Sequence, residues 1–260
     1  MSKKAVVSWI TMAAMAIGML GFPAAGYGAS AAVGTPTVKA KAVSYKTIQL
    51  RWNQIPGASG YEIYRYSAAK KQYAGIKTLT NAATTSFKNT GLKGHKKYHY
   101  KIRAYQITDG VRQLGSFSKT VTVRTKRSDS QKLIAKARTK LGAAYSAGGA
   151  GPNSFDCSGY VYWVYKHAGV HPKKKVIRTS AAGLYQSLKK YKVGTKIKCA
   201  KPGDIILFTH GGGFSHAAIY IGHGKIIHAM TYGKGVRVQS VRQLDRSGTK
   251  IAEVIRDLRN

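Results

Sequence analysis

The chain has 260 residues, room for one large domain or two ordinary ones. Hydrophobic residues make up 43 % of it, with 17 Tyr and 3 Trp, which supports buried cores and excludes a disordered chain. Lys and Arg number 44 against 8 Asp and Glu, a formal charge of +36, so the partner classes are acidic ones: nucleic acid, anionic lipid or an anionic wall polymer.

The charge is spread rather than clustered. Residues 33–125 hold 17 basic and 2 acidic residues, and residues 131–260 hold 23 and 5. No run of like charge is longer than Lys173-Lys174-Lys175. Such a spread fits adaptation to an acidic environment better than it fits a groove for reading nucleic acid.

Residues 1–31 read as a secretory leader. Lys3 and Lys4 precede an almost unbroken apolar stretch from Ala5 to Phe22, and small residues follow, with Ala29-Ser30-Ala31 as the best cleavage site. A retained anchor is the alternative, although about 18 apolar residues is the lower edge for a span. The expected location is secreted or at the cell wall. Export exposes cysteines to oxidation, and there are two, Cys157 and Cys199. They could pair, or Cys157 could stay free as a nucleophile.

Residues 33–125 are strand-like. Val38–Ala40, Ile48–Trp52, Tyr61–Arg65, Tyr98–Ala104 and Val121–Val123 alternate apolar and polar with period two, separated by Gly, Pro, Asn and Ser clusters. Short, regular strands predict a sandwich. The stretch resembles a fibronectin type III domain: Trp52 stands where that family buries a tryptophan, and Leu92 with Tyr98 is similar to its tyrosine corner. A row of tyrosines (Tyr61, Tyr64, Tyr66, Tyr98, Tyr100, Tyr105) is either a sugar-stacking surface or, in alternate positions, core. A spacer or wall-binding role is expected for this module.

Residues 126–130 are expected to be a linker, with Ser128, Asp129 or Ser130 able to cap a helix over Gln131–Leu141 that Gly142 ends. Helix first and strands later over 131–260 predicts an α+β domain.

The segment that carries chemistry runs from Gly148 to Gly159. A Gly/Pro/Asn loop ends at Asp156, and Val161, Val164, Tyr165 and Ala168 then form a helix face. Cys157 therefore sits at a helix N-terminus, where unsatisfied N–H groups and the positive dipole end favour a thiolate and can hold an oxyanion. A nucleophile needs a base, and the base an orienter. His216 and His228 lie on the two arms of a predicted hairpin around Gly222-His223-Gly224. They share a face if Ile221 pairs with Lys225 across a three-residue loop, or with a bulge of the same parity; a plain two-residue turn at His223-Gly224 would put them on opposite faces. Gly224 is expected in the left-handed region.

The blocks Tyr145-x-x-Gly148-Gly149, Phe155-Asp156-Cys157-Ser158-Gly159, Lys201-Pro202-Gly203-Asp204, His216-x-x-x-Tyr220-Ile221-Gly222 and Ile227-His228-Ala229 together resemble the NlpC-type peptidoglycan cysteine peptidases, of the papain-like fold group. The resemblance covers roughly Gln131 to the C-terminus. It implies Cys157 as nucleophile, His216 as general base and His228 as the residue that orients it. It also implies that Asp156, Ser158 and Tyr145 lie beside the nucleophile and contact substrate, with Arg178 and Ser180 in a similar stretch, and that the scissile bond joins D-γ-glutamate to a diamino acid in the stem peptide.

Blander roles stand beside these. Cys157 could be structural, His228 a satisfied core histidine, and Asp156 a helix cap with or without a substrate role. Asp204 reads as a cap at the start of a strand, Cys199 as a stray, His210 as a loop residue, and His167, His171 and His223 as surface. No C-x-x-C, H-E-x-x-H or G-x-S-x-G is present. The expected organisation is thus a leader (1–31), an all-β fibronectin type III-like sandwich (33–125), a linker (126–130) and an α+β papain-like peptidase domain (131–260). The expected partners are peptidoglycan and anionic wall polymers. No metal, cofactor, nucleic acid or lasting membrane insertion is expected, and the protein is expected to be a monomer. A wall amidase or acyltransferase with the same Cys–His site, or a non-catalytic wall binder, would share these features.

Overall fold

The computed structural model describes residues 32–245 and 248–259; the leader expected over 1–31 lies outside the described residues. Eight strands come first: β1 (Val38–Ala42), β2 (Ile48–Trp52), β3 (Gly60–Ser67), β4 (Gln72–Leu79), β5 (Ser86–Asn89), β6 (Lys97–Thr108), β7 (Val111–Leu114) and β8 (Val121–Arg124). They make two antiparallel sheets. One has the order β1-β2-β5, the other β4-β3-β6-β7, with β8 pairing the first half of the long β6. This is the fibronectin type III-like sandwich expected. Ile48, Leu50 and Trp52 of one sheet and Tyr61, Ile63, Tyr100, Ile102 and Ala104 of the other form its core. Trp52 meets Tyr61 edge-on at 5.3 Å, and the Tyr98 hydroxyl accepts the Lys93 N–H at 2.8 Å beside buried Leu92. Tyr61, Tyr100 and Tyr105 are buried, whereas Tyr66 is exposed. Strands β4, β5 and β7 were not expected. Their residues are mostly solvent-facing and break the alternation with Lys, Gln and Gly, and cross-strand pairing is what makes them strands.

Helix α1 (Asp129–Arg138) starts two residues before the expected Gln131 because Ser128 and Gln131 cap it reciprocally. It also ends before Leu141, in tight turns through Thr139 and Lys140, and Gly142 lies beyond it at φ +84°. Residues 128–130 are thus cap and first turn. Lys126 ties back to the sandwich, its N–H donating to the Ser44 carbonyl and its own carbonyl accepting from His95.

Next come β9 (Ala144–Tyr145), β10 (Ser154–Phe155), α2 (Cys157–His167), α3 (Ala181–Leu188), β11 (Lys192–Gly194), β12 (Ile205–His210), β13 (Gly213–Gly222), β14 (Lys225–Ala229), β15 (Val236–Ser240), α4 (Val241–Asp245) and β16 (Lys250–Ile255). Six of these strands form one sheet, β11-β16-β12-β13-β14-β15. Ile205, Leu207, Ala217, Ile219 and Ile227 face the helices, packing with Val161, Val164 and Leu184. Ile206, Phe208, Ala218, Tyr220 and Ile226 face a second cluster with Val241 and Leu244. Burial on both faces explains why these strands read as continuous apolar runs.

The hairpin between β13 and β14 decides the site. Ile219 pairs with Ile227 and Tyr220 with Ile226, but the closing pair is Gly222 with Lys225. The turn therefore has two residues, not three: His223 and Gly224, both left-handed at φ +53° and +67°, as a type I′ turn requires. Ile221 is the extra residue of a bulge, which restores the parity that keeps both histidines on one face.

Candidate active site

Cys157 is the first residue of α2, and Asp156 caps that helix, its Oδ1 accepting from the Gly159 N–H at 2.6 Å and from the Ser158 hydroxyl at 2.9 Å. The cap leaves the first-turn N–H groups of Cys157 and Ser158 without helical partners. Gly159 is required for a close approach: a Cβ there would stand 2.0 Å from the Gly149 carbonyl oxygen. That carbonyl accepts the Asp156 N–H and so ties the glycine loop to the start of the helix.

Helix α2 packs on β13. The backbone N–H groups of Ala217, the residue after His216, and of Ser158 and Cys157 lie near the Cys157 sulfur and favour its thiolate. His216 Nε2 lies 2.6 Å from His228 Nδ1, the rings set edge-to-face. His228 is fully buried, and its Nε2 lies 3.2 Å from the side-chain oxygen of Gln239 on β15. These bonds set the tautomers. An amide oxygen only accepts, so His228 carries its proton on Nε2 and has a lone pair on Nδ1. His216 then donates from Nε2 and keeps its own lone pair on Nδ1.

The electrostatics correct one expectation. Burial pushes the Cys157 thiol above its ordinary value, and the Asp156 charge adds to this. The three backbone N–H groups act the other way without reversing it. The helix terminus thus does not by itself yield the lowered thiol pKa expected from the sequence. Burial, then the neighbouring His228, lowers His216 to about 3. His228 falls to about 4 through burial, against the opposing Gln239 bond. Burial thus disfavours the charged form of all three groups, the thiolate and both imidazolium ions. Tyr145 is raised by burial and then by Cys157, Asp156 and Tyr232.

A cleft of about 330 Å³ opens over the thiol, lined by Tyr145, Asp156, Cys157, Ser158, Arg178 and Ser180 among others. The structure thus brings Cys157, Asp156, Ser158 and Tyr145 to one cleft; its wall reaches β13 at Phe214 and Ser215, next to His216 in the chain, and the two histidines are not among its lining residues. Arg178 does more than the sequence indicated, its guanidinium bonding Asp156 Oδ2, the Ser158 hydroxyl at 3.1 Å and the Thr179 carbonyl at 2.8 Å. Gln239 was missed. Its only sequence signal is a polar residue on a strand that pairs with β14. Asp204 is buried and structural, held by Arg256 and the Lys201 N–H. Cys157 and Cys199 are both free thiols. His171 is exposed and pairs with Asp129, His167 stacks on Trp163, His223 occupies the hairpin turn, and His210 ends β12 rather than standing in a loop. Among the described residues no group of three or more His, Cys, Asp or Glu could hold a metal ion.

Residues 142–250 match the family model described as the NlpC/P60 family. The chain carries an NlpC/P60 domain. This domain is 44 % identical over 103 residues to the "probable endopeptidase p60" of Listeria monocytogenes, an alignment covering 39 % of this chain and 19 % of that protein. The chain therefore spans about a fifth of the length of that relative. Among solved structures, the NlpC/p60 domain of the peptidoglycan hydrolase SagA is similar at 28 % identity, covering 49 % of this chain and 97 % of that one with a TM-score of 0.39. The structure titled FN3tt is similar at 26 % identity, covering 36 % and 97 %, with a TM-score of 0.29.

Proposed function

We propose that this protein is an exported cell-wall hydrolase, a thiol endopeptidase acting on the peptide stems of peptidoglycan. The observation that carries this reading is the hydrogen-bonded chain Gln239–His228–His216, with the backbone N–H of Ala217, the next residue, among the groups that favour the Cys157 thiolate. It supplies a nucleophile, a base with its lone pair on Nδ1, and an orienter.

The Cys157 sulfur attacks the amide carbonyl carbon while His216 Nδ1 takes the thiol proton. General-base removal in the encounter suits a thiol that rests protonated. The carbonyl π electrons move to oxygen, and the N–H groups of Cys157 and Ser158 hold that oxyanion, with Tyr145 at the cleft wall as a further donor. The C–N bond breaks as His216 returns the proton to the leaving amine, leaving a thioester. Water, deprotonated by His216, then attacks the thioester; the C–S bond breaks and the acid product and thiol are regenerated. In this reading Asp156, Ser158 and Tyr145 contact the substrate, and the Arg178 fork holds Asp156 and Ser158 in place.

The scissile bond proposed, from the resemblance, is D-γ-glutamyl–diamino acid. Mass analysis of soluble products from purified peptidoglycan tests it. The expected products have a free γ-carboxyl on glutamate and a free amine on the diamino acid. Release of intact stem peptides from the glycan would assign an amidase instead, and transfer to an added amine an acyltransferase.

A further inference from the structure

The outward face of the β1-β2-β5 sheet carries four cations and no acidic residue. The inward side of these strands is apolar, with Val38, Ile48, Leu50 and Trp52 in the core, so the alternate positions must face solvent. Those positions carry Lys39 and Lys41 on β1, Gln49 and Arg51 on β2, and Ser86 and Lys88 on β5. Register sets Lys39 directly opposite Arg51, and flanks Gln49 with Lys41 on one side and Lys88 on the other. Lys126 joins them along a groove of about 620 Å³.

Like charges directly opposite across strands destabilise a sheet. Among the described residues none of these cations enters an ion pair: Glu62 is taken by Arg103 and Arg112, and the other paired carboxylates stand at α1 or beyond. The face therefore concentrates positive charge with no internal counterion. Lys39 and Lys41 stand about 7 Å apart along β1, and Lys39 and Arg51 about 5 Å apart across strands.

We propose that this face is the docking surface for a linear polymer bearing repeated phosphodiester groups, an anionic polymer of the cell wall. The choice of a wall polymer rests on the wall-hydrolase reading; the charge argument does not. A flat lattice of point charges suits a flexible polyanion bound through its backbone and without sequence readout. No aromatic side chain lines the groove, so the base stacking that single-stranded nucleic acid binders use is missing.

The test is co-sedimentation of the full chain with purified walls, before and after acid removal of their phosphodiester polymer, across a salt series. Wild type is compared with Lys39→Glu/Lys41→Glu/Arg51→Glu/Lys88→Glu and with a control carrying the same charge change at Lys70, Lys71, Lys77 and Lys119. The expected result is binding at least ten-fold tighter to untreated walls, a ten-fold or greater loss and a shallower salt slope in the patch variant, and much smaller effects in the control. If the patch variant fails to fold, Lys39→Gln/Arg51→Gln replaces it. Equal losses in patch and control variants, equal binding to stripped walls, or tighter binding to duplex DNA at matched phosphate would overturn the proposal. Hydrolysis of a soluble muropeptide should stay unchanged in the patch variant. That arm is read separately, so failure of the peptidase reading and failure of the docking surface give different results.

Discussion

The state of Cys157 follows from two opposed effects in one residue. A helix N-terminus favours the thiolate, burial disfavours it, and burial wins. In a Cys199→Ser background, the rate of Cys157 alkylation by iodoacetamide should therefore keep rising above pH 9. A plateau between pH 4 and 8, the mark of a thiolate–imidazolium pair, would contradict this. The histidine pair titrates in the opposite sense. Both rings have folded values well below the usual 6.5, so between roughly pH 3 and 6.5 the unfolded chain binds more protons than the folded one. Their contribution to stability is fully present above pH 6.5 and is lost as pH falls toward about 3–4. Thermal unfolding measured from pH 7.5 to 5 should show this fall, and His216→Asn/His228→Asn should flatten it. Unchanged slopes in the double variant would place the histidines in water, against the geometry.

At the scale of elements, strand β15 fixes what a ring nitrogen on β13 can do. Gln239 accepts from His228, His228 accepts from His216, and the lone pair on His216 Nδ1 follows. Gln239→Leu should lower kcat by roughly 10–100-fold, as loss of an outer-shell partner does elsewhere, with KM little changed. Gln239→Glu should retain activity, because a carboxylate also accepts, and should move the acidic limb of the pH–rate profile upward, because its charge favours protonated His228. Full activity in Gln239→Leu would show that the tautomer is set some other way. Local patterns made much of this site legible. The Asp156 cap and the Cys157 helix are written in adjacent residues, whereas alternation made the shared histidine face conditional on the hairpin's register. The two-residue turn was not, because the Ile221 bulge is a backbone irregularity that alternation does not encode. Gln239, and the role though not the position of Arg178, were illegible for a different reason: their partners lie 11 and about 20 residues away, where pairing rather than local sequence decides who meets whom. Strands β4, β5 and β7 belong to the same class, since an exposed strand has little hydrophobic period to display.

For the whole molecule, both domains are basic, but the proposed docking surface and the chemistry are separate. Residues 33–125 bring 17 basic residues against 2 acidic ones on a scaffold whose core is aromatic and aliphatic, while hydrolysis is proposed to rest on a thiol and two neutral histidines in the NlpC/P60 domain. Lysis of intact walls should then weaken as salt screens the attraction, whereas hydrolysis of a small uncharged muropeptide should be nearly salt-independent. Parallel loss of both would tie the charge to catalysis itself. The most direct measurement compares wild type with Cys157→Ala on purified peptidoglycan, reading released products by mass and folding by thermal melt. The expected result is a loss of cleavage of roughly 10³-fold or more with the melting temperature essentially unchanged. Cleavage at the wild-type rate by a folded Cys157→Ala protein would contradict the assignment of Cys157 as the nucleophile.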